Sequence, residues 1–397
     1  MSPGSTYTTS VDYTDSPKVD LSPRPDSLEA RKEKLEDAID PVFERKTMYV
    51  VQFISLDFRS LALLYSVALV DRLNISVART AGMGEALGLD VGSRYSIATC
   101  MYFIHYVLLY SVPGNILLRK IGARVFLSFI VTAWGAVCLS IGFVKTWEVL
   151  TVLRVLLGAM ETGLFPALVY IISTWYTRHE VAKRLAAFYM ISLTIAGFAS
   201  ILAYCISLLD GKRGIAGWSW IFIIEGALTI FLGIITFLYV PDFQDKNRFL
   251  TPEQTAVVLR RIEIDRGDSV PDVLTPAKIW FHLKDWSIWT YGIMLACSTV
   301  PSYMLAHFIS IILGGMGYGR SMSLLLRAPP YGPAFISALF FAWISDRYKH
   351  RSSFIIIQAC TCIVGCCLTA FCQSHALRYF GRCSPLFSTS IQLGLFM

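Results

Sequence analysis

Within long apolar stretches of this chain, the charged residues Asp71, Arg72, Arg154, Glu161 and Glu225 stand almost alone. A charge in hydrocarbon costs roughly 2.5–3.5 kcal/mol on insertion scales, so such residues usually face a protein interior or a water-filled path. Arg72 carries a planar fork of donors that can grip a carboxylate through two parallel charge-assisted bonds; the alternative is that it pairs with Asp71 or with a neighbouring helix. Glu161 falls near mid-membrane, where a carboxyl can exchange a proton unless a cation such as Arg154 or Arg72 holds it. Tyr102, His105 and Tyr106, at spacings i, i+3 and i+4, share a helix face that could stack on and hydrogen-bond a small ring or acid, or could simply pack. No partner for Glu225 follows from spacing, and it reads as a structural residue near a loop. Pro301, Tyr303 and His307, and then Arg327, Pro329, Pro330 and Tyr331, mark bent or broken helices, which a membrane tolerates where they line a cavity.

The elements that must position these residues are membrane-spanning helices. Of 397 residues, 55% are hydrophobic and only 16% charged, with a mean hydropathy of +0.55, more apolar side chain than a soluble core of this length could hide. A span needs about 20 apolar residues. Apolar runs set against turn and charge signals predict helices at 57–79, 93–118, 125–144, 149–176, 185–209, 218–240, 286–313, 321–344 and 352–372. Ala159 and Gly163 would form a small-residue surface on the fourth of these. Residues 1–56 are polar and mixed in charge, with no signal peptide, and read as a disordered cytosolic tail. The stretch 241–285 separates six spans from three; in it Thr251, Pro252 and Gln254 form a capping box, and Val257, Val258 and Ile262 supply an apolar stripe that would lie on the cytosolic face and tie the halves together. The loops after the second, fourth and eighth helices carry Arg119, Lys120, Arg124, Arg178, Lys183, Arg184, Arg347, Lys349 and Arg351, so the positive-inside rule puts the N-terminus in the cytosol.

The formal charge of +7 does not signal nucleic-acid binding, because the basic residues form short clusters between apolar segments rather than one basic face. Most of the ten cysteines lie inside apolar helices and read as small packing residues. The cluster from Cys360 to Cys372 lacks the partners a metal site favours, and no metal or cofactor is expected. No nucleophile elbow, metal-ligand pair or phosphate-binding loop argues for an enzyme.

The order of these residues resembles the anion:cation symporter branch of the major facilitator superfamily, and most of all its fungal allantoate, nicotinate and pantothenate permeases. The likeness rests on Asp71, Arg72, Asn74 and Ile75 in the first helix, Pro113 and Asn115 at the end of the second, and Gly158, Glu161, Gly163, Phe165, Pro166 and Arg178 in the fourth and the turn after it. Gly217, Trp218, Trp220, Phe222, Glu225 and Gly226 match in the sixth; Asp285, Trp286 and Trp289 open the seventh; Pro329, Pro330, Tyr331, Ser345, Asp346, Arg347 and Arg351 match the eighth and its following loop.

That resemblance implies an all-α polytopic fold: a complete N-terminal six-helix bundle at 57–240, a cytosolic loop at 241–285 and a partial C-terminal bundle at 286–397, working by alternating access. It further implies plasma-membrane symport of a small organic anion with a proton, with the lipid bilayer as partner, no nucleic acid, and a monomer as the expected state. Arg72, Asn74, Tyr102, Tyr106, Tyr303, His307 and Tyr331 would bind substrate, Glu161, Asp71 and His105 would handle the proton, and Asp346, Arg347 and Arg351 would form the gating loop. Relatives carry an acidic residue where Ser111 stands and a small polar one where Arg327 stands. The eleventh and twelfth helices of the pattern are expected to be missing, which leaves a non-transporting fragment or sensor as the alternative. The same layout suits nicotinate, pantothenate, allantoate or a dicarboxylate, and spacing does not separate proton from sodium.

Overall fold

The computed structural model describes residues 56–110, 121–240, 250–266, 283–348 and 351–371, with the short stretches 42–43, 46–47, 117–118 and 280–281. Most of the tail expected over 1–56, Ser111, Pro113 and Asn115 at the end of the second helix, and everything beyond Phe371 lie outside the described residues, as do the side chains of Ser345, Asp346 and Arg351. Among the described residues, five helical stretches are long and apolar enough to cross a membrane: Ser60–Ala86, Ala123–Ile141, Trp147–Trp175, Arg178–Ser207 and Gly217–Tyr239.

In chain order the helices are α1 (Leu56–Ala78), α2 (Arg94–Tyr110), α3 (Ala123–Ile141), α4 (Trp147–Glu161), α5 (Leu164–Trp175), α6 (Arg178–Ser207), α7 (Gly217–Tyr239), α8 (Pro252–Arg266), α9 (Trp286–Gly315), α10 (Arg320–Leu325), α11 (Tyr331–Tyr348) and α12 (Arg351–Phe371). Two predicted spans are broken. The fourth ends at Glu161 and resumes at Leu164, because Pro166 has no N–H to return to residue 162 and its ring crowds that carbonyl; proline is tolerated only in the first turn of the new helix. The eighth is split into α10 and α11 around Pro329 and Pro330. Beyond α1, Arg79–Met83 forms a π-helical turn with Gly82 at φ 114°, and Arg79 there pairs with Asp90 at 2.5 Å.

α3 and α7 approach each other closely. A Cβ on Gly226 would stand 2.5 Å from the Leu139 backbone nitrogen, and one on Gly135 2.8 Å from that of Ile230. Small residues at such a seam let backbones touch where no hydrophobic effect drives helices together. α1 is clamped to α6 by Ser66 donating to Ser192 at 3.1 Å and by Tyr65 stacked on Phe188 at 4.7 Å.

The capping box at Thr251 and Gln254 is present: Thr251 N donates to Gln254 Oε1 at 3.1 Å, and Gln254 N to Thr251 Oγ1 at 3.3 Å. A second box, unforeseen from sequence, starts α6 with Thr177 and Glu180. Val258 and Ile262 of α8 are buried in the core of the first helices. Arg261 pairs with Glu180 at 3.2 Å, and Arg178 N donates to Asp265 at 2.8 Å. These bonds fasten α8 to the start of α6.

The seam gives a direct test. Gly226→Leu forces α3 and α7 apart and is expected to cost about 1–3 kcal/mol, read as a lower unfolding midpoint of the purified protein in detergent. Gly314→Leu, with open space around it, is expected to leave that midpoint unchanged.

Candidate functional site

Adjacent residues on a helix point about 100° apart, so Asp71 and Arg72 serve two different clusters. The Arg72 side chain is 7% exposed and Glu161 fully buried, with Arg72 Nε donating to Glu161 Oε1 at 2.6 Å. Tyr102 donates its hydroxyl to Glu161 Oε2, also at 2.6 Å. Both carboxylate oxygens are therefore engaged. Arg72 Nη2 donates to Tyr106 at 3.1 Å and Nη1 to Tyr303 of α9 at 3.3 Å, while the guanidinium carbon lies 4.8 Å from the Tyr106 ring centre.

Local structure explains how these groups meet. Glu161 is the last residue of α4, at the proline-driven break, and Thr162 just after it donates to the Tyr106 carbonyl at 2.7 Å. A Cβ on Gly158 would fall 2.5 Å from the Tyr102 carbonyl oxygen, so glycine there lets α2 come close enough for Tyr102 to reach Glu161. The tight α2–α4 contact is thus at Gly158, while Gly163 of the predicted small-residue surface is closely approached by α3, a Cβ there meeting the Phe126 and Ile130 side chains at 3.0 and 3.1 Å. Tyr102 and Tyr106 stack at 5.9 Å.

The second cluster faces α3 and α7. Asn74 Nδ2 donates to Asp71 Oδ1 at 2.9 Å and also to Glu225 Oε2. The Cys138 thiol lies 3.7 Å from Asp71 Oδ1, so this cysteine belongs to the polar network and does more than pack. Asp71 Oδ2, Glu225 Oε1 and the Nε and Nη2 of Arg154 are buried without hydrogen-bond partners among the described residues. Arg154 stands 5.8 Å from the Phe222 ring centre; the cation that holds Glu161 is Arg72. Glu225, expected near a loop, instead lies well inside α7, buried beside Asn74. The i, i+3 spacing of Asp71 and Asn74 put both on one face, but nothing in the sequence pointed that face at α7.

Of the other predicted residues, His105 bonds its Nδ1 to the Met101 carbonyl of its own helix at 2.9 Å and does not join the Arg72 cluster. His307 is buried, and its backbone carbonyl accepts from Ser76 at 2.6 Å and Tyr95 at 3.1 Å. Arg327 sits in the unwound turn between α10 and α11 and donates to Ser76 Oγ at 3.1 Å and to the Ala306 carbonyl at 3.2 Å. Tyr331 packs on Gly197 of α6 and lines an apolar groove of about 430 Å³ with Phe198 and Pro329. Arg347 is exposed, 5.6 Å from the Trp343 ring centre. Among the described residues, no group of three or more His, Cys, Asp or Glu could hold a metal ion.

The sequence profile of the Major Facilitator Superfamily matches residues 61–395, and the chain belongs to that family. It is 30% identical over 316 residues to the MFS transporter prlL of a fungal species, covering 77% of this chain and 62% of that protein. It is 28% identical over 326 residues to the high-affinity nicotinic acid transporter of Saccharomyces cerevisiae, covering 81% of this chain and 59% of that one. The chain thus spans about three fifths of the length of these curated relatives. Among solved structures it is similar to the xylose transporter XylE from E. coli in a partially occluded inward-open conformation, with a TM-score of 0.62, 10% identity and 85% of each chain covered. A bacterial homologue of the human lysosomal transporter Spinster gives a TM-score of 0.61 at 17% identity, covering 86% of this chain and 74% of that one.

The buried pair is the most exposed to mutation. Arg72→Met strands Glu161 and is expected to destabilise the protein by roughly 3–5 kcal/mol, whereas Arg72→Met combined with Glu161→Leu recovers most of that loss. A double-mutant cycle on unfolding midpoints in detergent measures the difference.

Proposed function

We propose that this chain works as a secondary membrane transporter that carries a small organic carboxylate together with a proton. The observation that carries this reading is the donor inventory of Arg72. A guanidinium has five N–H groups; Glu161, Tyr106 and Tyr303 take three of them, which leaves one on each Nη. A carboxylate can accept from one N–H on each Nη in bidentate fashion. Tyr106 comes from the first six helices and Tyr303 from α9, so an anion at Arg72 touches both halves. The likeness to a nicotinic acid transporter supports a carboxylate cargo.

Proton handling falls better to Asp71 and Glu225 than to Glu161, whose oxygens are both occupied. One Asn74 amide serves both carboxyls, and each retains an oxygen without a hydrogen-bond partner among the described residues. Two buried like charges at one donor repel, and a single proton relieves that repulsion. Anion at Arg72 and proton at Asp71 would bias the same conformational equilibrium, and this is the coupling that symport requires. Residence in the plasma membrane with a cytosolic N-terminus, and action as a monomer, complete the reading; the basic loops of the positive-inside pattern support the orientation.

Uptake of labelled nicotinate by the full chain in liposomes tests it. Uptake should accelerate when the outside is made more acidic than the inside. Arg72→Lys, which keeps the charge and loses the fork, should lower uptake roughly ten- to hundredfold, the loss of one or two charge-assisted bonds. Asp71→Asn should abolish the response to the pH gradient. Wild-type uptake indifferent to both pH and Arg72→Lys overturns the reading.

A further inference from the structure

His307 is only 4% exposed, and neither Nδ1 nor Nε2 has a hydrogen-bond partner among the described residues. A buried polar group left unpaired calls for an explanation, and a neutral imidazole offers one donor and one acceptor in either tautomer. The ring stands edge-on to Phe103, centroids 5.5 Å apart, and the same Phe103 meets Tyr303 at 6.1 Å. Tyr303 and His307 are four residues apart on α9, so they share a face with about 6 Å of rise between them.

Tyr303 marks the Arg72 end of this face, because it accepts from the guanidinium. Arg327 marks the other end: its Nη2 donates to the carbonyl of Ala306, the residue beside His307. The charged groups acting on the imidazole are the guanidiniums of Arg154, Arg327 and Arg72. Tyr303, which meets the Arg72 guanidinium, and the imidazole of His307 therefore lie about one helical turn apart on one face of α9, with the guanidiniums of Arg72, Arg154 and Arg327 acting on the ring. A monocarboxylate on Arg72 would leave the far end of that face unanswered.

We propose that His307, with Arg327 beside it, is a second anchor for the far end of the carried anion, and that the chain prefers a short dicarboxylate to a monocarboxylate of equal length. This rests on the reading of Arg72 as the first carboxylate anchor. A site built to hydrogen-bond a ligand group discriminates against the analogue that lacks it, since its own buried polar atoms then stay unpaired.

Calorimetric titration of the purified full chain in detergent with succinate against butyrate, and glutarate against valerate, provides the test. The wild type should bind each dianion roughly tenfold or more tighter than its partner, the equivalent of one charge-assisted bond. His307→Ala should remove that preference while leaving butyrate affinity within about twofold, which also reports that the variant is folded. Arg327→Gln, which keeps donors for Ser76 and Ala306, should reduce the preference without affecting butyrate. Equal binding of succinate and butyrate by the wild type, or a preference that survives His307→Ala, overturns the second anchor. If butyrate binds and depends on Arg72 while succinate gains nothing, only this inference falls. If no acid binds the wild type, the Arg72 reading falls and this one with it.

Discussion

A guanidinium buried among apolar helices is tolerable only if its charge is met, and the meeting of Arg72 with Glu161 shapes much of what surrounds it. Breaking such a pair by removing one side is costly even where replacing both sides is not. Glu161 must therefore be presented at the right height and rotation. It is, because α4 stops at that residue ahead of Pro166, and because Gly158 one turn earlier lets α2 approach until Tyr102 caps the other carboxylate oxygen. Proline, glycine and tyrosine in these places serve one ion pair.

The adjacent residue faces a different problem. Asp71 turns toward α3 and α7, where Asn74 bridges it to Glu225 and Cys138 stands close by. One helix thus supplies two clusters, on one side an ion pair whose carboxylate is bonded at both oxygens and on the other a carboxyl pair with one oxygen of each group unbonded among the described residues.

Among the described residues, the first, third, fourth, fifth and sixth expected spans were legible in the sequence, because lipid demands about 20 apolar residues in a row and few soluble folds need that. The pairings between spans were only partly legible. A lipid-facing leucine and a buried one look alike in hydropathy, so the rotation of each helix, which decides that Glu225 meets Asn74 and that His105 bonds within its own helix, leaves little trace in the pattern. The break before Leu164 and the split around Pro329 and Pro330 were signalled by proline, yet the apolar runs continue through both and merge the pieces. Arg72 and Glu161 drew attention as rare charges; their mutual pairing was one of several arrangements open to them. Cys138 looked like filler because a thiol is small and apolar until a carboxylate stands next to it.

Among the described residues, the hydrogen bonds that join the first helices to α9 and the Arg327 turn are uneven in their chemistry. Ser76 and Tyr95 clasp the His307 carbonyl, Arg327 holds Ser76, and Arg72 spares one donor for Tyr303; Glu161, Tyr102 and Tyr106 all lie on the near side. A hinge that parted the two sides here would surrender hydroxyl and carbonyl contacts that water can replace, and would leave the ion pair whole. Arg72 and Glu161 would then travel together with the first helices, and the gap would open around a charge that never has to be unmade.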